Sequence, residues 1–157
     1  MKDLLRTLLE KAINECYKKD RYLIDKGMEQ ASVARIFYYM QRAIEFEDDF
    51  DVLREYHLDC EYYKHGEDKK ITESHPKGSR PDVILHKRGT DDDNLLIIEF
   101  KSYSNNDCID DYIKLKEFTS VSEVYRYSLG IFAKLNRRET EYVYFQNGKE
   151  VEKTELK

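Results

Sequence analysis

The stretch Pro81-Asp82-Val83-Ile84-Leu85-His86 and, after a polar connection, Asn94-Leu95-Leu96-Ile97-Ile98-Glu99-Phe100-Lys101 decides how this chain is read. Each half is a short apolar run rich in β-favouring residues. Between them, Gly89-Thr90-Asp91-Asp92-Asp93 has the composition of a tight connection, which predicts a β-hairpin. Side chains alternate along a strand, so Glu99 and Lys101 share one face while Ile98 and Phe100 share the other. A hairpin symmetric about the Thr90–Asp91 bond sets Asp82 opposite Glu99, and directly opposed residues project from one face. Two carboxylates and an ammonium then converge beside an apolar core. Unpaired charge is costly there, and carboxylates at close range raise one another's pKa. A Mg²⁺ ion offsets that cost, because it takes a few carboxylate oxygens together with waters and a substrate phosphate. Asp82 and Glu99 are therefore candidate metal ligands, with the carbonyl of Ile98 or Phe100 as a backbone donor and Lys101 facing the attacking water or the phosphoryl group. Such a metal acts as a Lewis acid and lowers the pKa of bound water for in-line attack on phosphorus.

Upstream, Leu4, Leu5, Leu8, Leu9, Ala12 and Ile13 recur at helical spacing, a pattern that extends through Cys16 and Tyr17 and predicts a first amphipathic helix. Gly27 interrupts. Val33, Ala34, Ile36, Phe37, Tyr38, Met40, Ala43 and Ile44 then predict a second helix, from near Met28 to the acidic run Glu45 to Asp51, with Glu29 in its first turn. Asp59-Cys60-Glu61-Tyr62-Tyr63 reads as a strand running into a turn at Lys64-His65-Gly66-Glu67-Asp68. Downstream, Asp107 or Asp110 caps a helix carrying Ile109, Tyr112, Ile113, Leu115, Lys116 and Phe118, and Tyr127 to Phe132 and Glu141 to Phe145 read as strands before Asn147-Gly148. The order of helices, three strands, helix and two strands suits an α/β fold, a central mixed sheet with helices on both faces. A chain of 157 residues is expected to form one domain, with N-terminal helices over 1–45, a core over about 55–135 and a C-terminal strand at 141–146.

Charged residues make up 38% of the chain and apolar residues 40%, with thirteen Tyr and seven Phe, which argues against disorder. The net charge of −5 does not describe a general polyanion binder, although an acidic metal cluster subtracts charge that a bound cation returns. Cys16, Cys60 and Cys108 show neither zinc-knuckle spacing nor a disulfide framework, which fits a reducing cytoplasm. Charges break the apolar run of the first twelve residues, and nothing elsewhere approaches a membrane span of ~18 apolar residues.

Pro81-Asp82, a strand, a short turn and Glu99-Phe100-Lys101 together resemble the PD-(D/E)xK superfamily of restriction-endonuclease-like nucleases. The resemblance runs over roughly residues 25 to 135, and the segments around Asp59, Asp82 and Glu99 are similar to small stand-alone members. It implies a restriction-endonuclease-like core, Mg²⁺ or Mn²⁺ dependence and phosphodiester cleavage, but it does not name a substrate; nucleic acid is the expected partner, DNA ahead of RNA. In that family a helix before the sheet often supplies a further acidic residue, which implies a metal or catalytic role for Glu29. A homodimer would suit cleavage of two strands. Set against this, Glu99 and Lys101 could form an exposed cross-strand ion pair, and Glu29 could simply favour a helix N-terminus. A non-catalytic binding module that keeps the fold is the alternative function.

Other candidates are weaker. Asp110, Asp111 and Lys114 could approach the site, but a solvated pair at i,i+3 is the expected reading. His57, His65, His75 and His86 share no metal-ligand spacing, and His86 is expected to be structural. Lys69, Lys70, Lys77, Arg80, Lys87 and Arg88, and later Lys134, Arg137 and Arg138, read equally as a phosphate-binding rim or as solvated loops. Tyr38, Tyr39, Tyr62 and Tyr63 could stack on bases, with core packing the expected role.

Overall fold

A computed structural model of the chain describes residues 1–62, 64–65 and 68–156, so Tyr63, Gly66 and Glu67 of the expected strand and turn lie outside the described residues. The elements run α1 (Lys2–Lys19), α2 (Arg21–Asp25), α3 (Glu29–Phe46), β1 (His57–Cys60), β2 (Lys64–His65), β3 (Asp68–Lys69), β4 (Val83–His86), β5 (Leu96–Ser102), α4 (Ile109–Thr119), β6 (Leu129–Leu135), β7 (Thr140–Gln146) and β8 (Lys149–Val151). Single 3₁₀ segments at Asp48–Leu53 and Lys153–Glu155 complete the order.

The first helix buries Leu5, Leu8, Leu9, Ala12, Ile13 and Cys16, the stripe its spacing predicts. The second long helix is α3, which buries Ser32, Ile36, Tyr39, Met40, Ala43 and Ile44. Gly27 joins α2 to α3 at φ +64, a left-handed conformation that suits glycine. That turn starts α3 at Glu29, and a Cβ on Gly27 would sit 3.1 Å from Ser104 Oγ beyond the end of β5.

Six strands form one mixed sheet in the order β1-β4-β5-β6-β7-β8. Among the described strands only β5 and β6 run parallel, joined through α4. Strands β4 and β5 pair with Val83 on Ile98, Ile84 on Ile97 and Leu85 on Leu96, the expected register. Both faces of this pair are buried. One face (Val83, Leu85, Leu96, Ile98, Phe100) packs into a core with α1 and α3, while the other (Ile84, Ile97) packs with Leu115 and Phe118 of α4, Phe132 and Phe145.

Several expectations need correction. The strand expected at 59–63 is β1 at His57–Cys60, because pairing with Val83–His86 sets its extent. Helix α4 begins after Cys108 with no side-chain cap, so neither Asp107 nor Asp110 serves as one. Its apolar residues do not all face inward: Ile109 is 71% exposed, whereas Asp111 and Lys114 lie on the buried side with Leu115 and Phe118. The spacing 111, 114, 115, 118 is one helical stripe, and two of its members are charged.

Candidate functional site

Pro81 and Asp82 lie immediately before β4. One ladder step beyond the Val83–Ile98 pair, Asp82 falls opposite Glu99. Along β5, Glu99 and Lys101 alternate with Ile98 and Phe100, so both continue the face of Ile97 that α4 covers. From α4, Asp111 reaches back to Lys101 with its Oδ2 2.7 Å from Nζ, and Lys114 Nζ lies 3.0 Å from Glu99 Oε2 and 3.9 Å from Asp111 Oδ1. Glu99 is only 2% exposed, so Glu99 and Lys101 do not form the exposed cross-strand ion pair that was the alternative expectation. Asp111 at 6% and Lys114 at 9% correct the expectation of a solvated pair. In the sequence the only hint is that both share a helical stripe with Leu115 and Phe118, a hint that their charge outweighs.

The backbone supports the same corner. Phe100 N–H donates to Asp82 Oδ2 at 2.7 Å. In a strand the carbonyl of a residue leaves from the same edge as its N–H, so the Phe100 carbonyl projects toward the Asp82 side, past the last β4–β5 ladder pair. Of the two expected backbone donors, Phe100 is thus better placed than Ile98, which sits within the ladder opposite Val83. Glu29, at the first position of α3, accepts a hydrogen bond from Ser102 N–H at 2.7 Å and so ties that helix to the end of β5.

Charge in this corner is perturbed as burial demands. Burial pushes the Asp82 carboxyl up to about 6, with Asp111 and Glu29 adding to the rise and the Phe100 N–H and Lys114 opposing it. Burial and the neighbouring Asp82 carboxylate push Glu99 well above the usual carboxylate range, against the pull of Lys114. Burial pulls Lys101 down, but the Asp111 carboxylate outweighs it and, with Glu29 and Asp82, holds the amine above its usual value.

The arrangement can be tested against a divalent cation. Asp82, Glu99, Asp111 and Glu29 bring four negative charges when ionised and Lys101 and Lys114 bring two positive ones, leaving a formal −2 that Mg²⁺ would cancel. The buried Glu99 Oε1 has no hydrogen-bond partner among the described residues, an orphaned acceptor of the kind that a bound ion satisfies. Among the described residues no three His, Cys, Asp or Glu side chains are gathered closely enough to enclose a cation by themselves. Mg²⁺ does not ask for that, because it is commonly held by one or two carboxylates plus waters and substrate phosphates. Asp82, Glu99 and the Phe100 carbonyl, with Glu29 nearby, fit such an ion.

Comparison of the chain with family models, curated proteins and solved structures returns no match. What the site can do therefore rests on its own geometry.

The remaining candidates separate clearly. His86 is buried and bonded to Asp59 at 3.0 Å, and His75 lies 2.9 Å from Asp110, so both are structural. Arg88 is committed to Asp59 and Lys87 to Asp93. Lys70 is 2% exposed, with its amine 4.8 Å from the Tyr125 ring centre and 5.7 Å from that of Tyr127, so it belongs to neither rim nor solvated loop. Lys134 differs: it pairs with Lys101 across the parallel β5–β6 ladder and so shares the face of the site. Tyr39 is buried beneath Arg35, while Tyr38 remains exposed.

Proposed function

We propose that this chain is a divalent-metal-dependent nuclease of the PD-(D/E)xK type, hydrolysing phosphodiester bonds with DNA as its substrate. The observation that carries the reading is the β4–β5 register, which brings Asp82 against Glu99 on the face covered by α4, with Glu99 Oε1 buried and unsatisfied. In this reading the sheet and flanking helices form a restriction-endonuclease-like core. Asp82, Glu99 and the Phe100 carbonyl would hold Mg²⁺ or Mn²⁺, and Glu29 would complete the acidic shell. The ion, when bound, supplies Lewis acidity toward a phosphoryl oxygen and acidifies a water.

The chain's own residues do the rest. Lys101, kept as an ammonium by Asp111, donates to the attacking water or to a non-bridging phosphoryl oxygen and balances charge as it develops. Lys114 neutralises Glu99 before the cation arrives. Asp111 orients both amines from α4. The apolar floor of Ile84 and Ile97 limits water on that side and strengthens each of these interactions.

The test is Mn²⁺- or Mg²⁺-dependent cleavage of a panel of DNA and RNA substrates. Wild type is expected to cut DNA, and Lys101→Ala to lose about 10²-fold or more in rate, the scale of a lost transition-state donor. Unchanged cleavage by Lys101→Ala would overturn the mechanism. The net charge of −5 favours a second reading, a nuclease-like module that binds without cutting. Such a binding or interaction module would leave every substrate of the panel intact and show no Asp82-dependent response to Mn²⁺.

A further inference from the structure

Beside the metal corner, on the side of the sheet away from β6, an open groove of about 370 Å³ runs between α3 and the ends of β1 and β4. Its apolar lining comes from Val33, Ala34 and Phe37 of α3. Glu29, Glu61 and Asp82 also line it. Two of those carboxylates also belong to the candidate metal site, so whatever fills the groove is contiguous with the group bound there.

We propose that this groove is a nucleobase subsite, and that the protein acts on single-stranded DNA with one unstacked base seated against Val33, Ala34 and Phe37. The inference rests on the nuclease reading above and names its substrate class. Charge selects the occupant. The carboxylates in its lining repel a phosphate that is not shielded by metal, so the part of a nucleotide that suits this partly apolar, acidic lining is its uncharged base. Exocyclic amino groups of adenine, cytosine and guanine are donors that Glu61, the lining carboxylate outside the metal corner, can accept from. The volume lies within the ~300–1,000 Å³ usual for small-ligand clefts.

Cations lie on the opposite flank. Lys134 on β6 is level with Lys101 on β5, and its amine is 2.7 Å from Asn106 Oδ1. Arg137 lies just beyond, over the Tyr103 ring at 4.6 Å. A strand whose backbone crosses Lys101 and Lys134 therefore directs the base on the other side of the scissile phosphate toward the groove. In a duplex that base is stacked and paired and must be extruded at a cost, whereas in a single strand it is already available.

The experiment measures Mn²⁺-dependent cleavage of one labelled oligonucleotide as a single strand, as a perfect duplex, and with an abasic residue placed at each position in turn. Wild type is expected to cut the single strand at least about tenfold faster than the duplex and to lose about tenfold where the abasic residue adjoins the cut, the scale of one lost base–aromatic contact. Ala34→Trp, at an exposed position of α3, fills the groove; it should lose single-strand cleavage by a similar factor while keeping the Mn²⁺-induced rise in melting temperature. Equal cutting of both forms, or no abasic effect, with cleavage still dependent on Lys101, overturns the subsite and leaves the nuclease reading standing. No cleavage of any form and no Mn²⁺ effect overturns both. The abasic arm uses wild-type protein and decides the matter even where Ala34→Trp fails to fold.

Discussion

Glu99 shows what the site costs the fold. Its side chain is 2% exposed, one oxygen has no partner among the described residues, and the other depends on Lys114. Removing the charge while keeping the shape should stabilise the metal-free protein, because Lys114 still has Asp111 at 3.9 Å. Glu99→Gln is expected to raise the melting temperature in EDTA by roughly 2–8 °C, taking about 1–2 kcal/mol at ~2–4 °C per kcal/mol for a chain of this size. The same variant should lose its response to Mn²⁺, which differential scanning fluorimetry reads directly. Asp82 adds a pH signature. Its folded pKa is raised from 3.8 to about 6, so the native state binds this proton more tightly than the unfolded chain does. Its contribution to stability is therefore present in acid and is lost as pH rises from about 4 to about 6, with no further change above. Urea denaturation in EDTA between pH 4 and 7.5 should show wild type falling relative to Asp82→Asn across that window. A difference that is flat with pH would contradict the burial of Asp82. Metal affinity should move the opposite way, strengthening over the same interval as the ligand loses its proton.

At the scale of elements, α4 does what no single residue can, since it closes the second face of the sheet and delivers Asp111 and Lys114 together. Its approach to the sheet is set by Gly130 on β6. A Cβ there would meet Thr119 Cγ2 at 3.0 Å, Phe145 Cβ at 3.2 Å and Leu115 Cδ2 at 3.3 Å. Gly130→Ala is expected to cost about 1–3 kcal/mol by overpacking and, by lifting α4, to reduce cleavage more than global unfolding explains. Denaturation and activity measured on the same preparation check this; full activity with lowered stability would show that α4 need not sit so close. The helix was legible in the sequence by its periodicity, but the identity of its inner face was not. The two exposed isoleucines Ile109 and Ile113 and the two buried ions belong to the same helix. Hydrophobicity alone assigns them the wrong way round, because the pairing that makes burial of Asp111 and Lys114 tolerable comes from β5.

Over the whole molecule, two cores separated by one sheet hold the site between them: α1 and α3 against one face, α4 against the other. None of the described helices is long and apolar enough to cross a membrane. Because the candidate ligands come from α3, β5 and the residue before β4, a bound cation cross-links elements that only the folded state assembles, and it should stabilise the fold by mass action. At free Mn²⁺ about 100 times its dissociation constant the gain is ~2.7 kcal/mol, a rise of roughly 5–10 °C in melting temperature. Asp82→Ala should abolish that rise. A full shift in Asp82→Ala would place the cation elsewhere.

The hairpin and the facing of Asp82 and Glu99 were determined by the sequence alone. Strand period is fixed at two and a short connection leaves one register that buries both apolar runs, so local rules suffice. The identity of Asp82, Glu99 and Lys101 as candidates came with it, whereas Glu29 entered only through the family resemblance. What only the tertiary structure decided is how those charges are compensated: Lys114 beside Glu99, Asp111 beside Lys101, Glu29 on the Ser102 amide, and the groove that α3 forms beside Asp82. These contacts join residues far apart in the chain, and they follow from which face each helix docks. Docking is the outcome of packing the entire core, a sum over many weak interactions that no short stretch of sequence contains.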